Sequence, residues 1–328
     1  MKTVFFTRHG GPDVLQIADA PIPEPAPGEV LIRMAAAGVG KPDYLMRTGT
    51  YPWTRDILPF YPGLYGTGTV AALGSGVTGF SVGQPVFVDH PVVCGCYSEY
   101  KTAPAELVTP LPDGIDLVSA AAVNNHVIAW SLLHTACAPM EGRTLYMKSA
   151  AGALGSAIVQ LAPLCGLTVI ASASTEEKCE HLRKLGAGHV FCYKTEDEES
   201  AVLSATGGRG ADYILDQVVG KGFTRQFSYL NRGGTVVIYN TLGGFPEENI
   251  PQFLTDNFAG CWAVRAFSFH KHDGHPDELA ALRREVFSML AEGKFRPAIA
   301  AAIPQKDIVR AHALMDAGTA LGSIVLTL

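Results

Sequence analysis

The stretch 144–155, TLYMKSAAGALG, constrains the fold of this chain more than any other. Leu145, Tyr146 and Met147 form a short apolar run that stops at Ser149 and is followed by Ala150, Ala151, Gly152, Ala153, Leu154 and Gly155. Apolar residues then resume at helical spacing with Ile158, Val159 and Leu161. Strand, small-residue turn, helix is the arrangement in which a dinucleotide pyrophosphate rests on a helix N-terminus. Small residues let the backbone approach the phosphates, and the unpaired N–H groups of the first turn meet their charge. Ala150 occupies the first glycine position of the G-x-G-x-x-G pattern, so the literal pattern is degraded. A literal match does occur at Gly74, Gly76 and Gly79, but FSVGQPVFV follows it, and Gly83 and Pro85 forbid a helix there. That segment reads as a glycine-rich turn between two strands.

From Arg143 onward, strands and helices alternate. TLYMK, LTVIAS, HVFCY, DYILDQV, GTVVIYN and GCWAVRAF read as strands, with helices near 153–165, 175–185, 197–206, 221–231 and 250–257. Six strands with intervening helices predict an α/β fold with a doubly wound parallel sheet. Pro163 is expected to kink or end the first of these helices. Residues 1–120 read instead as β-rich, with short strands separated by Pro- and Gly-rich turns, which points to a barrel-like or sandwich-like unit. Two helices are expected between Leu117 and Cys137. After about residue 268 come a long helix opening at Pro276 and closing at Gly293, a short strand, a helix in KDIVRAHALMDAG and a terminal strand in SIVLTL. A length of 328 residues favours two domains. The expected division is 1–120 as the N-terminal part of a catalytic domain, 121–266 as the nucleotide domain and 267–328 as a tail that completes the first, with a cleft between the two domains.

Composition narrows the function by exclusion. A net charge of −6 gives no broad attraction to nucleic acid or to an anionic membrane. No run approaches the length that spans a bilayer, and MKTVFFTRHGG has no sustained apolar segment or cleavage signature. Seven scattered cysteines without a framework spacing read as reduced thiols, which places the expected location in the cytoplasm.

The end of the second strand separates the two nicotinamide dinucleotides. NAD-binding folds place an Asp or Glu about 20 residues beyond the glycine turn to hold the ribose hydroxyls. Here the segment is Ala171-Ser172-Ala173-Ser174-Thr175, with no acid before Glu176, while Lys178 lies one helical turn beyond Ser174. A carboxylate would repel a 2′-phosphate and its absence admits one, so the reading favours NADP. The competing reading makes Ser174 a helix N-cap and puts Lys178 on a solvated face. No metal site is expected. Cys94 and Cys96 have no second pair at structural-zinc spacing, and His270, His272 and His275 fall in a polar loop. Asn124, Asn125 and His126 interrupt an apolar helical region, where they either face the nicotinamide or cap a helix.

Several segments together resemble the zinc-independent quinone oxidoreductases of the medium-chain dehydrogenase/reductase superfamily, the group that includes zeta-crystallin. They include HGGPDVLQI, PIPEPAPGEVLIRMAAAGV, PDYLMRTGTYP, LPFYPGLYGTGTVAALGSGVTGFSVGQPVF, SAAGALGSAIVQLA, ASTEEKCEHLRKLGAGHVFCYKTED, LNRGGTVVIYN and GSIVLTL, in the family's order. The resemblance implies a Rossmann domain inserted in a GroES-like domain, NADPH as cofactor, a cytoplasmic homodimer or homotetramer, and a small-molecule acceptor. By matching position, Ala150 to Gly155 form the pyrophosphate turn and Ser174, Lys178 and Tyr193 meet the 2′-phosphate. Tyr239 and Asn240 fall beside the nicotinamide.

The departures lie on the substrate side. Gly40 replaces the asparagine of G-V-N-x-x-D and stands where zinc-dependent relatives place their first catalytic cysteine. Asp43 and Tyr51 remain, Leu45 replaces a tyrosine, and Tyr65 stands where the family commonly has Glu. The expected reaction is hydride transfer from NADPH to a quinone or an α,β-unsaturated carbonyl without zinc. Tyr51 is the first candidate proton donor, His126 the second, and Asp43 an orienting group, although aromatic packing beside Pro52 and Trp53 accounts for Tyr51 equally well. An enoyl-thioester reductase, with Arg47, Arg55 and Lys41 as candidate basic residues, and a non-catalytic NADPH-binding protein are the alternatives.

Overall fold

A computed structural model describes residues 1–51, 54, 56–89 and 94–328 of the chain. Two compact units emerge. Met1–Val127 and His272–Leu328 form the first, and Ile128–Lys271 forms the second as one uninterrupted segment.

In the second unit the strands Thr144–Met147, Thr168–Ala173, His189–Cys192, Ala211–Asp216, Leu230–Ile238 and Ala263–Ala266 pair in parallel throughout. Numbered along the chain, their spatial order is 3-2-1-4-5-6, which puts the reversal between the strands beginning at Thr144 and Ala211, where such sheets bind their ligands. Every residue of Thr144–Met147 and Ala211–Asp216 is buried, as both faces of a covered parallel sheet require. Helix Ala153–Leu161 follows the first strand and gives way to a 3-10 turn at Ala162–Cys165, where Pro163 ends the α-helical ladder and Gly166 closes the turn at φ +76°. The expected helix at 221–231 is different. It is a 3-10 helix, Phe223–Tyr229, that buries Phe223, Gln226, Phe227 and Tyr229, and Leu230 already belongs to the next strand.

The first unit is built on a seven-stranded sheet. Its path runs Ile299–Pro304, Ser323–Thr327, Glu29–Val39, Tyr65–Leu73, Pro85–Asp89, Val108–Pro110, with Tyr100–Pro104 paired to Glu29–Val39. The first pairing is parallel and all others are antiparallel. The C-terminal strand therefore lies beside a strand that begins at residue 29. The glycine-rich stretch at 74–79 is a turn between two antiparallel strands, with Gly76 and Gly79 both at φ +80°. A helix at Lys41–Thr48 interrupts the β-rich region, which the strand-based reading had not anticipated. Pro42 sits in its first turn, Asp43 accepts from the N–H of Gly40, and Gly49 ends it in the left-handed conformation.

Two ion pairs join the early and late segments of this unit. Arg47 is wholly buried; its Nη2 donates to both carboxylate oxygens of Asp316 at 2.6 and 2.7 Å, and its Nη1 donates to the Gly10 carbonyl at 2.8 Å. Arg283 donates to Asp89 at 2.7 Å and lies over the Phe87 ring. His312 is also fully buried, edge-on to Tyr97, and neither ring nitrogen has a hydrogen-bond partner among the described residues.

Asp316→Ala would leave the Arg47 guanidinium buried without its counter-ion. A loss of about 3 kcal/mol is expected in urea unfolding. Burial, with the nearby charge of Arg47 adding to it, holds His312 down to about 3 from an ordinary value of 6.5. Between those values the unfolded chain binds a proton that the folded chain refuses, so the contribution of His312 to stability falls as pH drops from 6.5 toward 3. His312→Leu should flatten that part of the unfolding free energy measured against pH.

Candidate functional site

The phosphate-binding candidate in the second unit is built from the end of the first strand. Ser149 turns the chain at φ +53°, and the Ala150 N–H then donates to the Ser172 carbonyl at 2.9 Å, tying the turn to the neighbouring strand. Gly152 is the N-cap of helix Ala153–Leu161 and offers the helix no side-chain cap. Gly152 is exposed and nothing lies within 4 Å of where a Cβ on it would point, and the first N–H groups of the helix have no partner within it. Ala151 is buried, while Ala153 and Leu154 are partly exposed at the rim of the turn. Gly155 is required for a different reason: a methyl there would run into the Ala150 backbone. An uncapped helix N-terminus beneath an open glycine fits a diphosphate.

Past the second strand, Thr175 rather than Ser174 caps helix Glu176–Lys184, its hydroxyl accepting from the Lys178 N–H at 3.3 Å. The capping role that competed for Ser174 is therefore taken by its neighbour. Tyr193 donates its N–H to the Ala173 carbonyl at 3.1 Å, which brings Tyr193 beside Ser174, and Tyr193 is exposed. Lys178 is partly exposed on the same helix. Ser174 and Tyr193 thus meet at one strand end, with Lys178 on the helix that starts there.

At the end of the fifth strand, Tyr239 donates its N–H to the Asp216 carbonyl, and its hydroxyl is buried with no hydrogen-bond partner among the described residues. Burial raises that phenol well above its ordinary range. Asn240 is exposed, its side-chain oxygen accepting from the Thr241 N–H at 2.8 Å. One residue escaped the sequence reading. Gln217, just past the fourth strand, donates to the Ser149 carbonyl at 3.1 Å and braces the small-residue turn. Its only signal was a polar side chain closing a fully buried strand.

In the first unit, Asp43 is fully buried and accepts from the N–H groups of Gly40 at 3.0 Å and Gly63 at 3.1 Å. Burial pushes its carboxyl up to about 6 against the pull of these hydrogen bonds. Tyr51 is partly buried against the hydrophobic core of the unit, and its N–H donates to the Leu45 carbonyl. Burial, then nearby Cys94, raises its phenol. His126 is buried inside the first turn of helix Asn124–Ala136, stacked on Phe295 with ring centroids 4.3 Å apart. The helix starts two residues earlier, so His126 does not cap it. Tyr65 is also buried, its ring across Gly38 and its hydroxyl near Gly40. Of the basic candidates, Arg47 is committed to Asp316, and Lys41 is exposed over the Tyr44 ring. Arg55, like Pro52 and Trp53, lies outside the described residues. Among the described residues no cluster of three His, Cys, Asp or Glu side chains is placed to hold a metal ion.

A parallel sheet of order 3-2-1-4-5-6 with a small-residue turn after its first strand, inserted in a mostly antiparallel β unit, defines the medium-chain dehydrogenase/reductase class. Residues 26–113 match the alcohol dehydrogenase GroES-like domain and residues 153–265 the zinc-binding dehydrogenase family. The chain is 30% identical to the quinone oxidoreductase of Lama guanicoe over 100% of this chain and 98% of that protein. It is 29% identical to the 2-haloacrylate reductase of a Burkholderia species, over 97% and 96% of the two chains. Its fold superposes on that of Escherichia coli quinone oxidoreductase, solved in complex with NADPH, with a TM-score of 0.88, 27% identity and full coverage of both chains. The chain belongs to the zeta-crystallin-like quinone oxidoreductase family of that superfamily.

Because a methyl on Gly155 meets backbone rather than a movable side chain, Gly155→Ala should displace the candidate phosphate turn. A stability loss of about 1–3 kcal/mol and at least about a tenfold weaker dinucleotide affinity are expected, read by thermal unfolding and by fluorescence titration.

Proposed function

We infer that this protein is an NADPH-dependent oxidoreductase that reduces a quinone or an α,β-unsaturated carbonyl without zinc. The observation that carries the reading is the pairing of an uncapped helix N-terminus at the exposed Gly152 with a second strand that is followed by Ser174 instead of a carboxylate. Full-length similarity to quinone oxidoreductases and to a 2-haloacrylate reductase, and a close fold neighbour solved with NADPH, support it.

In this reading Ala150, Ala151, Gly152, Ala153, Leu154 and Gly155 hold the pyrophosphate. Ser174, Lys178 and Tyr193 hold the 2′-phosphate, and Tyr239 and Asn240 flank the nicotinamide. NADPH, when bound, supplies the hydride. Charge that develops on the substrate oxygen needs a hydrogen-bond donor, and the reduced product needs a proton. Tyr51 is the proposed proton donor and Asp43 braces its surroundings. His126, stacked and buried, is a weaker candidate, and quinones can take the proton from water. Gly40 offers no side chain where zinc-dependent relatives place a catalytic cysteine, so zinc lacks a ligand at that position. The commitment of Arg47 to Asp316 removes one of the basic groups that a carrier-bound thioester substrate calls for.

The catalytic domain is proposed to comprise 1–120 and 267–328, with 121–266 as the nucleotide domain. Among the described residues no helix is long and apolar enough to cross a membrane, and a cytoplasmic homodimer acting on a small molecule is proposed.

NADPH consumption, with NADH as control, against a panel of quinones and 2-enones tests the reading. NADPH should be strongly preferred, and Ser174→Asp should raise KM for NADPH at least about tenfold while sparing NADH, because a carboxylate repels the 2′-phosphate. Binding of NADPH without turnover across the panel would favour a non-catalytic role, and preference for NADH would overturn the assignment of Ser174.

A further inference from the structure

Gly38, Gly40 and Tyr65 form one construction. Tyr65 begins a strand that runs antiparallel to Glu29–Val39, and one edge of its ring with the hydroxyl sits where a Cβ on Gly38 would be. The ring stacks toward Phe87, with centroids 6.2 Å apart, and Phe87 is in turn backed by Phe287 and Arg283. This clamp carries the hydroxyl past Gly38 to Gly40: a methyl built on Gly40 would lie 3.7 Å from the Tyr65 oxygen and 3.8 Å from Asp43 Oδ2. The phenol therefore reaches into space that a side chain at position 40 would fill.

Tyr65 is only 5% exposed, and its hydroxyl has no hydrogen-bond partner among the described residues. A hydroxyl that the protein leaves without a partner can still donate one hydrogen bond and accept others, from a ligand or from water. Asp43, the nearest carboxylate, already accepts from two backbone N–H groups.

We propose that the Tyr65 hydroxyl hydrogen-bonds the carbonyl oxygen of the substrate and stabilises the charge that forms there. The proposal rests on the reductase reading above and deepens it. Hydride addition to the β-carbon of an enone shifts the C=C electron pair toward the carbonyl oxygen, giving an enolate. The Tyr65 O–H donates to that oxygen without transferring its proton, a proton from Tyr51 or water completes the saturated ketone, and NADPH becomes NADP⁺. Burial, with Asp43 and Asp89 nearby, keeps the phenol protonated and hence a donor throughout the neutral range. Tyr65 thus supplies a function that Gly40, lacking a side chain, does not.

Tyr65→Phe removes the hydroxyl and keeps the ring in its clamp. With 2-cyclohexenone as acceptor, kcat/KM should fall about a hundredfold, the scale of losing one donor to a developing oxyanion, while the NADPH dissociation constant and Tm stay close to wild type. In difference infrared spectra, the C=O stretch of bound 2-cyclohexenone should lie below its solution value in wild type and return toward it in Tyr65→Phe. Equal kcat/KM and an equal stretch in an active wild type and in the variant would overturn the role of Tyr65 and leave the reductase reading intact. A wild type that oxidises NADPH with no acceptor and shifts no carbonyl stretch would remove the reading, and the proposal with it.

Discussion

The first unit depends on closure between segments that the chain keeps far apart. Arg47 with Asp316 and Arg283 with Asp89 join its early and late parts, and Ser323–Thr327 zips onto Glu29–Val39. The entropic cost of closing so long a loop grows only logarithmically with its length, so the insertion adds little beyond the cost of closing at all. What the closure needs is a specific match. Desolvating a guanidinium is expensive unless a carboxylate and a carbonyl meet it in good geometry, and Asp316 and Gly10 both do so for Arg47. Any other register of the late helix would leave that cation buried without compensation.

Within this frame small residues decide what reaches the candidate sites. Gly155 lets the helix pack directly against the Ala150 backbone, and Gly38 lets an aromatic ring occupy the place of a side chain on a strand. Asp43 converts burial into rigidity, fixing the start of helix Lys41–Thr48 to the loop at Gly63. The side-chain chemistry is sparse, as expected where the cofactor carries the reducing power and the protein supplies orientation and hydrogen bonds.

Most of the parallel sheet was legible because its signals are local: each strand is an apolar run, each turn a cluster of small residues, and Pro163 stops its helix where proline sterics demand. The short helix at Lys41–Thr48 was hidden inside a β-rich region because it is held by Asp43 and by tertiary packing. The segment 223–229 reads as a helix by composition, but the buried aromatics set a tighter winding. Ser174 and Thr175 are equally good caps by residue type, and only the backbone decides between them. Arg47 looks like a surface charge in any local window, since its partner is more than two hundred residues away. Tyr65 was visible as an unusual residue at its position, but its apposition to Gly38 depends on strand pairing that no local pattern encodes.

The interrupted layout also imposes an order on biosynthesis. All six strands of the nucleotide-type sheet lie between Ile128 and Lys271, so that unit is complete in sequence while the last strand of the other has yet to be translated. Chains leave the ribosome at about 5–20 residues per second, so Glu29–Val39 waits for tens of seconds with the edge reserved for Ser323–Thr327 unfilled. An unfilled edge in an emerging chain is a template for wrong pairing. The antiparallel partners at Tyr65–Leu73 and Tyr100–Pro104, which emerge early, cover part of the same strand during that interval.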